Sequence, residues 1–374
     1  MAGGCRHARA SASTASVSSR VRQSKGTSVW AWSSSSPPAR AIAAALYQQA
    51  ALLLFTGTHS LEAAGRGDRF AAAWRRQQAL WDAGVALLPA PPERVRIPYA
   101  GTTLPGDYYR APGGGGKEGG HHPLLLFNNG SDGAMPAAWS MGIAPALERG
   151  YDCLAFYGPG QGSALVDQGL YFRPDWEAVV TPVVDFALAR REVDPRRIAL
   201  MGISQGGYWV PRAAAFETRL AAAVADPGVF DVSTSWLRGF PPPLLALLGS
   251  GNKAAFDAAL AQGLQQDPAS AATLAFRMRP FGMTSYYDVY TAVQQYTLAG
   301  VVDRIRVPLL VTDPEGAAFW PGQSDQLYDA LPGEKTLVPF TAAEGADLHC
   351  EPKAPRLRAQ RIFDWLDGVL AARG

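Results

Sequence analysis

Short apolar segments alternate with helical segments from residue 124 onward, and this alternation constrains the fold more than any other feature. Leu124–Phe127, Leu154–Tyr157 and Ile198–Ile203 are nearly continuous apolar runs, typical of strands buried on both faces of a sheet. The other predicted elements are strands over Leu220–Ala225, Pro308–Thr312 and Thr336–Phe340, and helices over Pro136–Arg149, Asp175–Arg190, Gln205–Phe216, Gln323–Leu331 and Arg356–Leu370. The order predicts an α/β fold with a mostly parallel, doubly wound sheet.

The remaining segments differ in composition from this core. Residues 1–40 are rich in serine and carry six basic side chains and no acidic one, which predicts a disordered extension and leaves an organelle transit peptide open. Residues 41–92 form a predicted N-terminal helical segment, followed by a hairpin that opens the core at 93–230 and 301–374. Residues 231–300 interrupt the alternation and are rich in aromatic side chains, so we expect an inserted helical cap over an active site.

Charge and cysteine content exclude several classes of partner. The net charge is +2, and because the first forty residues contribute +6, the rest is mildly acidic without a basic face for nucleic acid. The three cysteines match no zinc or redox spacing, which favours a reducing, cytoplasmic location. No apolar run approaches the roughly 20 residues that span a bilayer, so we expect no membrane partner. We expect a small-molecule substrate and neither cofactor nor metal, and a homodimer stays open.

One motif carries the chemistry. Gly202-Ile203-Ser204-Gln205-Gly206-Gly207 fits G-x-S-x-G, directly after an apolar strand and directly before a helix. A serine on such a strained turn is exposed at the end of the sheet, with the free amides of the helix directed at it. We therefore predict Ser204 as a nucleophile, and the alternative is a turn with a purely structural role.

A nucleophilic serine needs a general base within hydrogen-bond reach. Of the five histidines only His349 follows the last predicted core strand, where this fold presents its base. His7 lies in the extension, His59 is interpreted as a helix-surface residue, and His121 and His122 as solvated loop residues. His349 is the predicted base.

The third member of a triad is less well determined. Asp313 follows the strand Pro308–Thr312 and ranks first, Glu315 follows closely, and Asp226 after the strand Leu220–Ala225 ranks third. Each also fits an ordinary turn carboxylate.

An oxyanion hole and a substrate pocket complete the predicted site. The backbone N–H of Gln205 is the first expected donor, and the loop at Asn129 and Gly130 supplies the second. Trp236, Tyr286 and Tyr287 in the insertion are the candidate substrate-binding side chains. The alternative is that these aromatic residues form the core of the insertion itself.

The chain resembles a branch of the α/β-hydrolase superfamily. The matching segments are Leu125–Gly133, Tyr157–Gly162, Asp194–Tyr208, Phe319–Ser324 and Gly345–Pro352. The branch includes dihydroxypseudooxynicotine hydrolase and the fermentation–respiration switch protein, with relatives described as dienelactone hydrolase-like or prolyl-oligopeptidase-like. The resemblance implies a cofactor-independent hydrolase with a triad of Ser204, His349 and an acid near residue 313. Two residues depart from the family pattern: Gly316 stands where relatives often carry a carboxylate, and Tyr157 where they often carry aspartate.

We therefore expect a serine hydrolase that cleaves a carboxylic ester, or a C–C bond next to a ketone, in a small molecule. The alternatives are a peptidase or acyl transferase of the same fold, and a non-catalytic protein that kept the fold to bind a ligand.

Overall fold

The computed structural model describes residues 37–112 and 121–373. The predicted disordered extension therefore lies outside the described residues up to position 36, and Pro37 to Arg40 already belong to a helix. His7 and the glycine-rich stretch at 113–120 also lie outside them.

One sheet of eight strands forms the centre of the molecule, in the order β1-β2-β4-β3-β5-β6-β7-β8. The strands are β1 Glu93–Tyr99, β2 Thr102–Tyr109, β3 His122–Asn128, β4 Asp152–Phe156, β5 Val193–Ile203, β6 Ala222–Asp226, β7 Leu309–Pro314 and β8 Lys335–Phe340. The hairpin β1–β2 is antiparallel and attaches antiparallel to β4, while all pairs from β4 to β8 are parallel. The predicted doubly wound sheet is confirmed.

Helices cover both faces of the sheet. They are α1 Pro37–Thr58, α2 Phe70–Val85, α3 Met135–Ala138, α4 Ala144–Glu148, α5 Gly162–Val166, α6 Glu177–Leu188, α7 Gly206–Ala214, α8 Ser233–Leu237, α9 Pro242–Gly249, α10 Lys253–Gln266, α11 Pro268–Met278, α12 Tyr286–Val293, α13 Gln323–Ala330 and α14 Pro355–Ala371. The helix predicted over 136–149 is divided, because a π-helical turn at Trp139–Ile143 separates α3 from α4.

Two hydrophobic cores result from the alternation of side chains along each strand. In β5, Ile198 and Leu200 pack into the core beneath α6 and α7, whereas Ala199, Met201 and Ile203 pack into the core that contains α14. All five side chains are buried, which explains why the strand reads as a continuous apolar run.

The segment between β6 and β7 folds back on itself. Asp231 pairs with Thr297, and the backbone N–H of Val232 donates to the Tyr296 carbonyl at 2.9 Å, so the two ends of the predicted insertion meet. Helices α8 to α12 lie between these ends. We call residues 231–300 the insertion.

The first helix corrects an expectation from the sequence. Of the helices in 37–112 and 121–373, α1 alone is long and apolar enough to cross a membrane by length and composition. It reaches this length because it begins at Pro37, and because Gln48 and Gln49 interrupt the apolar run without adding charge. In this structure α1 packs along α2 and exposes Ile42, Leu46 and Leu53.

Candidate active site

Ser204 lies on the sharp turn between β5 and α7. Its φ of +56° is in the left-handed region that L residues rarely adopt. The Ser204 N–H donates to the Asp226 carbonyl at 2.6 Å, which fixes the turn to the end of β6. α7 begins two residues later, at Gly206, so the positive end of its dipole lies beside the serine.

Glycines allow the backbone to pass this turn. A Cβ on Gly202 would lie 2.5 Å from the Gly206 carbonyl oxygen, and a Cβ on Gly130 would lie 2.7 Å from Cβ of Ser204. Both contacts involve atoms that cannot move away easily. The loop after β3 can therefore approach the serine only with glycine at position 130.

His349 is in contact with this serine. Its Nε2 lies 3.0 Å from Ser204 Oγ, within hydrogen-bond distance. The imidazole also contacts the rings of Phe319 and Trp320, at centroid distances of 4.7 and 5.8 Å. Burial lowers the pKa of His349 to about 4, so the ring is neutral at neutral pH and Nε2 can accept the serine proton.

Gln161 holds the loop that follows β3. Its Nε2 donates to the carbonyls of Asn129 at 2.9 Å and Gly130 at 2.7 Å, and its Oε1 accepts from the Gly158 N–H at 2.9 Å. Since Gln161 is buried, these bonds are shielded from water. The main chain at 129–130 is therefore fixed beside Ser204, with its carbonyls turned toward Gln161.

A buried acidic pair lies beneath the serine and the histidine. Asp226, Glu351 and Arg358 are each at most 1% exposed, and Asp226 Oδ2 lies 3.8 Å from Arg358 Nε. Thr312 donates its hydroxyl to Asp226 Oδ1 at 3.0 Å. Burial raises the pKa of Asp226 and Glu351, and in Glu351 the neighbouring Asp226 raises it further. Asp226 Oδ2 and both Glu351 oxygens have no hydrogen-bond partner in the described chain, and a proton shared between the two carboxyl groups would pair two of these three oxygens.

The structure does not bring the predicted acids to the base. Asp313 makes no hydrogen bond to His349; Ser324 and Asp325 are the neighbours that affect it, and burial raises its pKa. Glu315 is exposed and accepts instead from the Ala342 N–H at 2.8 Å. Asp226 is engaged in the buried pair. The identity of an acid remains a prediction.

As a result, His349 Nδ1 is buried without a hydrogen-bond partner among residues 37–112 and 121–373. The Gly316 N–H donates to the Asp347 carbonyl at 2.8 Å, and a Cβ on Gly316 would lie 3.2 Å from Asp347 Oδ2. A carboxylate at position 316 would therefore face Asp347. Two further buried polar atoms in this region lack partners within the described chain, Asn129 Oδ1 and Gln205 Nε2. Such clusters are unusual outside functional sites.

A cavity of about 130 Å³ opens beside Ser204 and His349. Its walls combine the loop after β3, the turn at Ser204, the loop after β7 and the insertion. The lining residues are Ser131, Asp132, Phe172, Ser204, Gln205, Ser235, Trp236, Arg277, Pro280, Phe319, Trp320 and His349. The hydroxyl, the imidazole and the start of α7 thus meet at one cavity lined in part by aromatic side chains, an arrangement suited to acyl transfer through a serine.

Comparison with known proteins agrees with this geometry. The prolyl oligopeptidase family matches residues 180–257, which contain the Ser204 turn. Hydrolase LUC6 of Fusarium sp. is 30% identical over 78% of this chain and 73% of its own length. The α/β hydrolase psoB of Aspergillus fumigatus is 33% identical over 73% of this chain and 66% of its own.

The chain belongs to the α/β-hydrolase superfamily.

A solved structure extends the likeness to the fold. The 2,6-dihydroxy-pseudo-oxynicotine hydrolase superposes with a TM-score of 0.65 at 20% identity, covering 89% of this chain and 88% of that protein. Together with the family match and the named hydrolases, this makes the protein an enzyme of the serine-type α/β hydrolases.

Within this α/β hydrolase, the aromatic residues predicted for substrate binding separate into two groups. Trp236 lines the cavity, with its ring against Phe281 and Tyr290. Tyr286 and Tyr287 do not line it. They pack against the hydrophobic core from α12, where the Tyr287 ring contacts Phe256 of α10. The prediction for these two tyrosines is corrected, because their helical position directs them into the core of the insertion.

The three other histidines that the structure describes occupy structural positions. His122 begins β3 and its Nδ1 lies 3.3 Å from Asp152 Oδ1, so it is not a solvated loop residue. His121 Nδ1 contacts the Val193 carbonyl at 3.1 Å. His59 packs between Phe55 and Phe276 instead of on a free helix surface.

Several residues of this α/β hydrolase site were missed by the sequence reading. Gln161 lies within the segment Tyr157–Gly162 that carries the family resemblance, so that resemblance could have identified it. Phe319 and Trp320 likewise belong to a matching segment. No sequence signal distinguished Arg277, since a single arginine in a helical insertion is ordinary.

Proposed function

We propose that this enzyme hydrolyses a small-molecule carbonyl substrate, a carboxylic ester or a C–C bond next to a ketone, with Ser204 as nucleophile and His349 as base. The observation that carries the proposal is the 3.0 Å contact between Ser204 Oγ and His349 Nε2 at the wall of the cavity. A serine is a weak nucleophile unless a neutral base can take its proton, and this contact supplies one.

The reaction has two halves. His349 Nε2 takes the Ser204 proton while Oγ attacks the carbonyl carbon, and the oxyanion accepts hydrogen bonds from the N–H of Gln205 and from the main chain at 129–130. The intermediate then collapses to an acyl-enzyme, and His349 returns the proton to the departing alkoxide or carbanion. Water, deprotonated by His349, then attacks the acyl carbon and releases Ser204 and a carboxylic acid. Each oxyanion donor typically contributes about 10²–10³ in kcat.

The positions of Gly130 and Gln161 support the proposed oxyanion hole. The close approach of Gly130 to Ser204 places main chain beside the attacked carbonyl. Because Gln161 holds the carbonyls of 129 and 130, the main chain of this loop is fixed, and its N–H groups would act as the oxyanion donors. In this proposal the insertion acts as a cap that excludes water from the reaction.

Two alternatives rest on specific observations. The match to the prolyl oligopeptidase family favours a peptidase, whereas a cavity of about 130 Å³ lined in part by aromatic side chains favours a small substrate. The unpartnered His349 Nδ1 favours a ligand-binding protein, since the base lacks the acceptor that sets its tautomer in a complete triad. The contact between Ser204 and His349 outweighs both.

The test is labelling by a fluorophosphonate probe, with wild type beside Ser204→Ala and His349→Ala. We expect labelling in wild type, none in Ser204→Ala, and a loss of about 10²-fold or more in His349→Ala. Hydrolysis of aryl esters without cleavage of aminoacyl amides distinguishes an esterase from a peptidase. A folded wild type that reacts with neither probe nor ester would favour ligand binding.

A further inference from the structure

Arg277 is a cation in the wall of the cavity. It lies in the last turn of α11 and lines the same cavity as Ser204 and His349. Its guanidinium carbon is 5.6 Å from the centroid of the Phe319 ring. Since the same Phe319 ring contacts His349, a single aromatic side chain separates this cation from the base.

Arg277 has no counterion among the residues that the structure describes. Its neighbours in the insertion are engaged: Arg279 pairs with Glu62 and stacks on Phe70, and Arg238 donates to two backbone carbonyls of the loop after β7. Arg277 contacts Phe319 but neither a carboxylate nor a carbonyl in 37–112 and 121–373. Arg277 is partly buried, but its nitrogens stay accessible from the cavity, so an anionic group of a ligand can pair with them.

The one carboxylate that lines the cavity does not neutralise this charge. Asp132 accepts from the Ser131 hydroxyl at 3.1 Å and lies 3.9 Å from His59 Nε2, so it has its own partners. The rest of the lining includes the rings of Phe172, Trp236 and Trp320. These apolar surfaces lower the local dielectric constant and strengthen the attraction between Arg277 and an anion.

We propose that Arg277 binds a carboxylate of the substrate, so that this enzyme prefers carbonyl compounds carrying a carboxylate a short chain away from the scissile bond. The inference rests on the proposed function and adds the substrate class. Guanidinium is the side chain best matched to carboxylate, because its N–H groups donate in a planar, bidentate arrangement. The alternative is that Arg277 only stabilises the C-terminal end of α11.

Matched aryl esters test the proposal. Mono-4-nitrophenyl adipate has a free distal carboxylate, and its methyl ester, methyl 4-nitrophenyl adipate, has the same length without charge. In wild type we expect kcat/KM to be roughly 10- to 100-fold higher for the acid, as for a charged hydrogen bond. In Arg277→Met this preference should disappear while the neutral ester changes by less than about threefold, and Arg277→Lys should retain part of it.

Two controls separate the possible failures. Arg191→Met removes the same charge at an exposed position near the opposite end of the sheet, and should leave the preference unchanged. Binding of mono-4-nitrophenyl adipate to Ser204→Ala, measured by calorimetry, should weaken by the same factor when Arg277→Met is added. This binding test does not need turnover.

The outcomes are distinct. Equal turnover of the two esters in wild type, or equal loss for both in Arg277→Met, would overturn the carboxylate site. A lower melting temperature with an unchanged preference would leave Arg277 as a helix-end residue and would likewise overturn it. If neither ester reacts and the probe does not label Ser204, the proposed function fails, and the calorimetric comparison alone decides the anion site.

Discussion

Replacing Gln161 by Met tests how the loop beside Ser204 is held. Met has a similar volume and removes both the donor and the acceptor. Asn129 O keeps a partner, because Asn128 Nδ2 also donates to it at 2.7 Å, and Gly130 O keeps the Gly133 N–H at 3.2 Å, but the Gly158 N–H loses its partner. A buried backbone group left unpaired costs about 1–3 kcal/mol, so the free energy of unfolding should fall by about that amount.

The catalytic effect should be larger than the effect on binding. If the loop shifts, the main-chain donor at 129–130 leaves the oxyanion, and kcat should fall about 10²–10³-fold with KM little changed. Urea unfolding measures stability, and hydrolysis of methyl 4-nitrophenyl adipate measures kcat. Gln323→Met is the matched control, since Gln323 is also buried and makes four hydrogen bonds around Phe230–Thr234, away from this loop.

The comparison between the two variants shows whether Gln161 positions the loop at residues 129–130. Gln323→Met leaves the N–H groups of Phe230 and Asp231 unpaired, so it should lose at least as much stability, with kcat within about threefold of wild type. If Gln161→Met also keeps wild-type kcat despite its lower stability, the loop is not positioned through Gln161. The assignment of an oxyanion donor to residues 129–130 would then be refuted.

Four further predictions concern the base and its surroundings. Because burial lowers the pKa of His349 to about 4, the acid limb of the plot of kcat/KM against pH should have its midpoint well below 6.5, the ordinary pKa of histidine. A midpoint at 6.5 or above would contradict this. Since His349 binds its proton less readily in the folded state than in the unfolded state, it contributes to the free energy of unfolding above pH 6.5, and this contribution is lost as the pH falls through about 4. Acid unfolding of wild type beside His349→Gln measures the contribution. Asp313→Asn should leave kcat within about threefold, since Asp313 does not reach the base; a loss above 10²-fold would restore it as the acid. Arg358→Met should lower the free energy of unfolding, measured in urea, by about 3–5 kcal/mol, because it leaves the buried acidic pair without its cation. Glu351→Gln can still donate a hydrogen bond to Asp226 and should lower the free energy of unfolding much less. Equal losses in the two variants would argue against a shared proton.

The core strands and the site turn were predictable because their signals are local. The apolar run Ile198–Ile203 predicts a buried strand. The glycines at 202 and 206 indicate a tight turn at which larger residues would meet neighbouring backbone atoms. His349 could be chosen by elimination, since chain order fixes which loop follows the last strand. Boundaries were less accurate; β5, for example, begins at Val193, five residues before the predicted strand.

The acid and the pocket could not be predicted in the same way. Asp313 was ranked first by its distance from a strand end, but whether a carboxylate reaches Nδ1 depends on side-chain direction and on the path of two loops. Tyr286 and Tyr287 belong to the same class of residue as Trp236, and only packing against α10 separates them from the cavity wall.

By itself the sequence determined the order of strands and helices, the strained turn that presents Ser204 and the loop that carries His349. These follow from apolar periodicity and from glycine sterics, which act between residues close in the chain. The tertiary structure alone decided that Gln161 fixes the loop at Gly130, that Asp226 and Glu351 share a buried site with Arg358, and that Arg277 faces the cavity. Those contacts join residues up to 132 positions apart along the chain, as between Asp226 and Arg358, and they depend on how the layers pack, which no local pattern records.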